Sequence, residues 1–356
     1  MTKCLLVMAG GTGGHVFPGI AVADYLKSQG WSIHWLGTSQ RMEAQIVPKA
    51  GYDISFIDVA GLRGNGIKGW LMAPLTLSKA LFQALSVMRK VKPDVVLGMG
   101  GFASGPGGIA AFLKGIPLIL HEQNAVAGFT NKLLAPLAKK VLTGFDDTFP
   151  PSQKVSWVGN PLRSDIQVQQ TESSHEGINI LVVGGSLGAQ ALNEAMPQML
   201  NALNQPVSIW HQCGAGREQQ VRKTYISDAQ VKVSDFIDDM AGAYQWADLI
   251  ICRAGALTVS EIAMAGKAAI FVPLPYAVDD HQTKNAQALV RCGAARIVKQ
   301  SHSLAFDLAE QVNQLSVERQ QLTRMGQAAT SVARPQATKD VADVCKELAK
   351  VVAVNE

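Results

Sequence analysis

Two short, mostly apolar runs, Cys4–Ala9 and Ile178–Val183, lie about half a chain apart, and each ends in a glycine-rich turn that opens a helical stretch. Runs of this length bounded by glycine are the pattern of parallel strands buried on both faces. In the first half the pattern predicts strands at 3–9, 32–36, 54–57, 94–97 and 117–120, with a helix from about His15 to Gln29. The second half restarts at Ile178 and repeats strand followed by turn over 208–214, 231–240, 247–261 and 269–273. A last helix over about 338–350 follows Pro335, which would break a helix at that crossing. Strands alternating with helices predict a doubly wound α/β chain, and the restart predicts two such domains. The turn-rich and polar stretch from Phe145 to Glu176 is the expected linker. The expected division is 1–160 joined by the C-terminal helix 336–356, and 161–335.

The turns, Gly10-Gly11-Thr12-Gly13-Gly14-His15 and Gly184-Gly185-Ser186-Leu187-Gly188-Ala189, suit an anion. Glycine lets the backbone approach, and the following helix offers unpaired N–H groups and the positive end of its dipole, a cradle for a diphosphate. Close packing of helix on strand explains one such turn as well as a ligand does, but two with matching hydroxyls less well. Neither turn has the third glycine of G-x-G-x-x-G in register, and the second strand ends in Gly37-Thr38 where a dinucleotide site would place an acid. A nicotinamide cofactor is disfavoured. Ala265-Gly266-Lys267-Ala268 lacks the upstream glycine and the hydroxyl of a P-loop. A third strand, turn and helix unit, Pro93 to Gly108, gives the first domain a second candidate anion loop.

With 356 residues and 47% hydrophobic content the chain can bury two cores, yet no uninterrupted apolar stretch approaches the span of a bilayer. Met1-Thr2-Lys3-Cys4 leads straight into the first strand without signal-peptide features, and five cysteines without C-x-x-C pairing fit a reducing cytoplasm rather than zinc or disulfides. The net charge of +4 is uneven. Residues 1–160 carry 15 Lys+Arg against 8 Asp+Glu, or +7, and the remainder 17 against 20, or −3. The first half therefore faces something anionic. The basic residues are dispersed and no nucleic-acid motif is present, so anionic lipid is the better candidate.

Residues 67–92 are free of acid and rich in large apolar side chains. Trp70, Met72, Leu75 and Phe82, with Lys79 and Arg89, can form an apolar stripe with a basic rim, as in an interfacial helix on an anionic membrane. An ordinary amphipathic helix packed on the sheet satisfies the same pattern.

Six segments occur in the order seen in one bacterial family. They are Gly10–Pro18, Gly98–Gly107, His121–Asn124, Gly159–Arg163, Gly184–Ala189 and Arg253–Glu261. Along nearly its whole length the chain resembles the family 28 glycosyltransferases that make lipid II. That resemblance implies a GT-B fold, two Rossmann-like doubly wound domains separated by a deep cleft. It implies inverting transfer of N-acetylglucosamine from UDP-N-acetylglucosamine to lipid I, the undecaprenyl-diphosphate-linked N-acetylmuramoyl pentapeptide, without a metal or other cofactor. It further implies a peripheral place on the cytoplasmic face of the inner membrane, with anionic lipids and cell-wall synthesis proteins as partners.

Carried over residue by residue, Ser186 and the amides after Gly185 would hold the UDP phosphates, Glu261 the ribose hydroxyls and the Ile237 backbone the uracil. The run Ala256, Leu257, Thr258, Val259 and Ser260 would line the nucleotide, with Arg163 nearby, although Arg163 serves equally well as a linker ion pair. Gln282 and Asn285 suit sugar hydroxyls, or else a polar helix start capped by Asp279 or Asp280. Thr12, Gly13, Gly14 and Asn124 would reach donor or acceptor, and Gly13, Gly14, Gly101, Ser104 and Gly105 the lipid I diphosphate. His15 is the candidate general base, its imidazole suited to taking the acceptor proton; a histidine in a first helical turn serves as readily in packing. Phe102 stands where the family more often has Tyr, so only ring packing carries over there. The other six histidines show no metal-ligand spacing and are read as structural or exposed. A UDP-N-acetylglucosamine 2-epimerase of the same fold class, or a non-catalytic sugar-nucleotide-binding protein, is the alternative; the segment 67–92 and the loop 98–108 argue against the epimerase.

Overall fold

The computed structural model describes residues 2–59, 66–163, 165–166, 177–185, 187–226 and 230–352, with the side chains of 66–73, 278 and 351–352 outside the description. The chain forms two compact units, residues 1–163 with 334–356 and residues 164–333. The first contains β1 (Cys4–Ala9), α1 (Gly13–Lys27), β2 (Ser32–Gly37), α2 (Glu43–Lys49), β3 (Asp53–Phe56), α3 (Gly66–Val91), β4 (Val95–Gly100) and α4 (Ser104–Leu113). It continues through β5 (Leu118–Glu122), α5 (Phe129–Leu134), β6 (Lys140–Thr143) and β7 (Val155–Trp157). The second contains β8 (Ile178–Val183), α6 (Gln190–Leu200), β9 (Val207–Gln212), α7 (Glu218–Arg222), β10 (Val231–Ser234), α8 (Met240–Trp246) and β11 (Leu249–Cys252). There follow α9 (Ala256–Ala265), β12 (Ala268–Phe271), α10 (His281–Arg291), β13 (Ala295–Ile297), α11 (Leu304–Ser316) and α12 (Arg319–Thr330), and α13 (Ala337–Val352) rejoins the first unit.

Each unit is a parallel sheet, ordered β3-β2-β1-β4-β5-β6-β7 in the first and β10-β9-β8-β11-β12-β13 in the second. The unbroken apolar character of β1 follows from this, because a central parallel strand is covered on both faces. Leu5 and Val7 pack with Val16, Val22 and Leu26 of α1 and with Val341 and Cys345 of α13. Leu6 and Met8 point the other way, to Ala80, Ala84 and Met88 of α3 and Ala110 and Ala111 of α4. In the second unit Ile178, Ile180 and Val182 pack with Met196 and Met199 of α6 and Leu308 and Val312 of α11. The strands β6, β7 and β13, of three or four residues, are not among those the pattern predicts, although the four-residue β3, β10, β11 and β12 are. β4 also runs on through Gly98, where the sequence suggests a turn. A side chain there would come within 2.9 Å of Leu120 Cδ2, so glycine serves sheet packing at that position.

The order of strands reverses between β1 and β4 in one unit and between β8 and β11 in the other. Crevices for ligands form outside the carboxyl ends of strands at such switch points. The turns after β1 and β4 flank the first, and those after β8 and β11 flank the second. The register of β1 against β4 shifts between Met8 and Ala9, bringing the two turns of the first unit together. A methyl group on Gly101, whose φ is +91°, would sit 2.5 Å from the Gly10 carbonyl oxygen. In the second unit a methyl on Gly188 would run into the Cys213 carbonyl, whereas one on Gly185 would meet nothing within 4 Å although its φ is also positive, +83°. Gly185→Ala is therefore expected to cost about 1 kcal/mol, from the left-handed backbone alone. Gly188→Ala adds a backbone clash and is expected to cost at least about 2–3 kcal/mol. Urea denaturation of the two variants checks the difference.

Candidate active site

In the first unit the turn after β1 is held by Glu43, a buried acid in the first turn of α2. Its Oε2 accepts the Gly11 N–H at 2.9 Å, and its Oε1 accepts the Thr38 N–H at 3.0 Å and the Thr38 hydroxyl at 2.7 Å. Nothing in the sequence singles Glu43 out, because its partners are donors on turns brought together only by the sheet. Thr12 is the N-cap residue of α1 and is exposed. The amides of His15 and Val16 donate to its carbonyl at 3.1 and 3.2 Å, so Gly13 and Gly14 carry the N-terminal N–H groups that no helical carbonyl can reach.

His15 Nδ1 lies 3.1 Å from the Gly10 carbonyl oxygen. A carbonyl only accepts, so Nδ1 carries the proton and Nε2 is the accepting nitrogen of the neutral ring. The ring occupies the space over Gly100, where a methyl would stand 3.0 Å from Nε2. Gly100 thus makes room for the imidazole. Gly101 and Gly105 are partly exposed along the turn after β4, and Phe102 lies under the Arg41 guanidinium at 5.7 Å from its ring centre. Ser104 departs from expectation. It is fully buried, and its hydroxyl is engaged with the carbonyls of Gly100 at 2.9 Å and Met8 at 3.2 Å, so it fastens the turn and presents no hydroxyl to a diphosphate.

Two motifs far apart in sequence meet behind this turn. Glu122 accepts from the Asn124 N–H and side-chain amide at 3.1 and 3.3 Å, and from the Gly128 N–H and the Asn131 amide at 2.9 Å each. This sets the loop that presents Asn124. His121 Nε2 donates to the Gly159 carbonyl at 2.9 Å, while its Nδ1 accepts from the Gln123 amide at 3.0 Å. Asn160 donates to the Gln123 carbonyl at 3.1 Å. The exit segment 158–163, which ends at the exposed Arg163, is tied to β5 in this way.

In the second unit Ser186 lies outside the described residues. Its neighbours form a tight turn in which the Gly188 N–H donates to the Gly185 carbonyl at 2.8 Å. Ile237, 5% exposed, follows β10. α9 begins at Ala256 behind the N-cap Gly255, so Ala256, Leu257 and Thr258 supply its unpaired first-turn amides. Val259 does not belong with them: it is buried at 1% exposure and its N–H donates to the Gly255 carbonyl at 3.0 Å, making it a core residue. Ser260 and Glu261 are half-buried, and Glu261 Oε2 accepts the Tyr244 hydroxyl at 2.8 Å. Gln282 Oε1 accepts the Leu274 N–H at 2.9 Å, which pins the loop before α10. Asn285 is fully buried and donates to the Ala254 carbonyl at 3.1 Å. It shapes the turn before α9 and offers nothing to a sugar hydroxyl. Asp280 takes the N-cap position of α10 in a left-handed conformation (φ 51°) without a side-chain bond to the helix backbone.

The helix expected over 67–92 is present as α3. The side chains of Trp70 and Met72 lie outside the described residues. On α3 the face of Ala80, Ala84 and Met88 is buried, while Leu75 and Phe82 are 66% and 73% exposed, and Arg89 is exposed. Lys79 pairs with Asp58 at 2.8 Å on the surface. α3 therefore has one apolar face packed inward and a second that is exposed. Missed in the sequence were Ile109, Phe112 and Leu113 of α4 and Phe129 and Leu133 of α5, all exposed on helices that pack successively with α3. None of the three helices contains an acidic residue. No helix among the described residues is long and apolar enough to cross a membrane.

Two doubly wound parallel sheets, each with glycine turns and helix N-termini at its switch point, are the architecture of the GT-B class. Residues 5–143 match the glycosyltransferase family 28 N-terminal domain and residues 179–347 its C-terminal domain, and the chain belongs to that family. It is 58% identical over 353 residues, 98% of each chain, to the UDP-N-acetylglucosamine--N-acetylmuramyl-(pentapeptide) pyrophosphoryl-undecaprenol N-acetylglucosamine transferase of Aeromonas hydrophila. The crystal structure of Acinetobacter baumannii MurG superposes with a TM-score of 0.85 at 45% identity, covering 97% of this chain and 99% of that one. A putative UDP-N-acetylglucosamine 2-epimerase from Listeria monocytogenes shares the fold alone, at 13% identity and a TM-score of 0.67 over 96% of this chain and 95% of that one.

Two imidazoles are built into these units as neutral groups. Burial pushes both His121 and His211 down to about 4. His211 Nδ1 accepts the Tyr225 hydroxyl at 2.8 Å and its Nε2 donates to Asn193 Oδ1 at 3.0 Å. Between pH 6.5 and 4 the unfolded chain binds these protons and the folded chain does not, so stability is complete above that window and falls with pH through it, by about 3 kcal/mol for each ring. Denaturation measured across pH 4–7 is expected to show a smaller slope in His121→Asn and in His211→Asn than in the parent.

Proposed function

We propose that this enzyme transfers N-acetylglucosamine from UDP-N-acetylglucosamine to lipid I, forming lipid II with inversion at the anomeric carbon. The full-length identity to transferases of that name carries the reading. The glycine turns supply the chemistry it requires. The acceptor hydroxyl oxygen attacks the anomeric carbon as its proton passes to His15 Nε2, the nitrogen that the Gly10 contact leaves as acceptor. The bond from the anomeric carbon to the β-phosphate oxygen breaks on the opposite face, and UDP departs. Its developing charge is met by Ser186, by the amides after Gly185 other than that of Gly188, and by the start of α6, a role otherwise given to a metal ion. Glu261 receives the ribose hydroxyls, the Ile237 backbone the uracil, and Gln282 the sugar, while Ala256–Thr258 close on the nucleotide. Gly13, Gly14, Gly101 and Gly105 offer backbone to the lipid I diphosphate, with Thr12 and Asn124 alongside.

The acid-free helices α3, α4 and α5 would rest on the anionic cytoplasmic face of the inner membrane, bringing the first unit to its lipid substrate. Their exposed Leu75, Phe82, Phe112 and Leu133 with neighbouring Lys114 and Lys132 support that reading.

His15→Ala is expected to lower kcat by about 10²–10⁴ while UDP affinity stays within about twofold. Acceptor-dependent UDP release with a soluble lipid I analogue measures the first and calorimetry the second. UDP release without acceptor, or an epimerised sugar, would refute the transferase reading. Leu75→Ser combined with Phe82→Ser is expected to weaken binding to vesicles containing anionic lipid by at least about tenfold, the order expected for removing two large apolar side chains from a lipid interface. Flotation with anionic and with zwitterionic vesicles tests it, and unchanged binding would refute the membrane face.

A further inference from the structure

The carboxyl end of β9 is the one place in the second sheet that adjoins both the turn after β8 and the segment after β10. In register, Gln212 lies opposite Val183 on one side and Ser234 on the other. Its side chain is almost wholly buried, at 3% exposure, and both ends of its amide bond to backbone. Oε1 accepts the Gly185 N–H at 3.0 Å, and Nε2 donates to the Gly185 carbonyl at 3.0 Å and to the Asp235 carbonyl at 2.8 Å. The side chain thus pairs with the Gly185 residue as a further strand would, then reaches on to the next turn. Its own carbonyl accepts the Gly184 N–H at 3.0 Å.

The mount for this side chain is rigid. The preceding His211 is fully buried between Tyr225 and Asn193, and Asn193 in turn donates to the Cys213 carbonyl at 3.0 Å. Gly185, by contrast, faces open space, with nothing within 4 Å of where a side chain would be. Packing therefore does not locate this part of the turn, and hydrogen bonds must. Among the side chains, glutamine alone offers an acceptor and a donor at this reach. A carboxylate keeps the bond from the Gly185 N–H but turns an oxygen toward two carbonyls, and asparagine is one methylene shorter.

We propose that Gln212 is a positioning residue that holds Gly184 and Gly185 at a fixed separation from the segment 235–237, so that one ligand can bond to both sides, and thereby sets the preference for a uridine diphosphate over the bare nucleoside. This rests on the donor-site reading above. Loss of the brace lets each half of the site bind singly, and the advantage that the diphosphate adds to uridine shrinks.

The test is calorimetric titration of the full chain with uridine and with UDP, in the parent and in Gln212→Glu and Gln212→Ala. Both variants are expected to weaken UDP at least tenfold and to narrow the ratio of uridine Kd to UDP Kd by a similar factor, with near-ultraviolet dichroism retained. Gln212→Glu keeps the size and one bond, so it serves if Gln212→Ala does not fold. A purely structural role would lower the denaturation midpoint and leave that ratio unchanged in the folded protein, and such a result overturns the proposal. If the parent itself binds UDP no better than uridine, the donor-site reading fails and the proposal falls with it.

Discussion

A sharp glycine turn at the end of a buried strand exposes backbone groups that neither strand nor helix can pair, and each unit depends on a single buried side chain to accept them. Glu43 does this in the first unit and Gln212 in the second. A hydrogen bond of this kind is worth on the order of 1 kcal/mol, so these side chains favour the turns in their observed form. Glycine is then demanded twice over. The turns run backbone against backbone, Gly101 on Gly10 and Gly188 on Cys213, and no Cβ fits between them. The two braces differ in a way that suits their positions. The amide of Gln212 bonds an N–H and two carbonyls without itself bringing a charge beneath the second turn. Glu43 has three donors on its two oxygens, which spread its charge over the turn and Thr38.

Histidine takes opposite roles according to what surrounds it. His121 and His211 are enclosed, each ring nitrogen has a partner, and desolvation holds them neutral. They act as rigid connectors, one tying the exit of the first unit to β5 and the other fixing the end of β9 to α6. His15 sits in a first helical turn, half-exposed, with one nitrogen anchored to Gly10 and the other toward Gly100. The same imidazole chemistry that makes a buried ring a connector makes a half-exposed ring a candidate base, because only the latter can exchange a proton without leaving a charge in the core.

Much of the fold was legible in the sequence. β1 and β8 are apolar runs ending in glycine because both their faces are covered, and this signal survives without any knowledge of partners. β6, β7 and β13 were not read from the pattern; β7 and β13 are three-residue edge strands of mostly half-buried residues, which show little apolar contrast. Where the sequence points to backbone groups, as at Gly13, Gly14 and Ala256–Thr258, the structure has helix starts with amides that no helical carbonyl reaches. The site was misread where a polar side chain proved to be an internal fastener. Ser104 and Asn285 have the groups that a ligand would seek, but both are buried against carbonyls of their own turns. Val259 lies one residue past the amides that a helix leaves unpaired.

By itself, then, the sequence determined two doubly wound α/β units, their glycine turns and the family to which they belong, because strand burial and positive backbone angles leave marks on residue type at each position. The tertiary structure decided which polar groups meet. Glu43 lies 32 residues from the Gly11 amide it accepts, and Gln212 lies 27 from Gly185 and 23 from Asp235. The exposed apolar side chains of α4 and α5 likewise could be grouped only once α4 packs on α3 and α5 on α4. Local pattern specifies an element through its period and its turns. A hydrogen bond between distant turns depends on strand order and register, which are settled only when the sheet has formed.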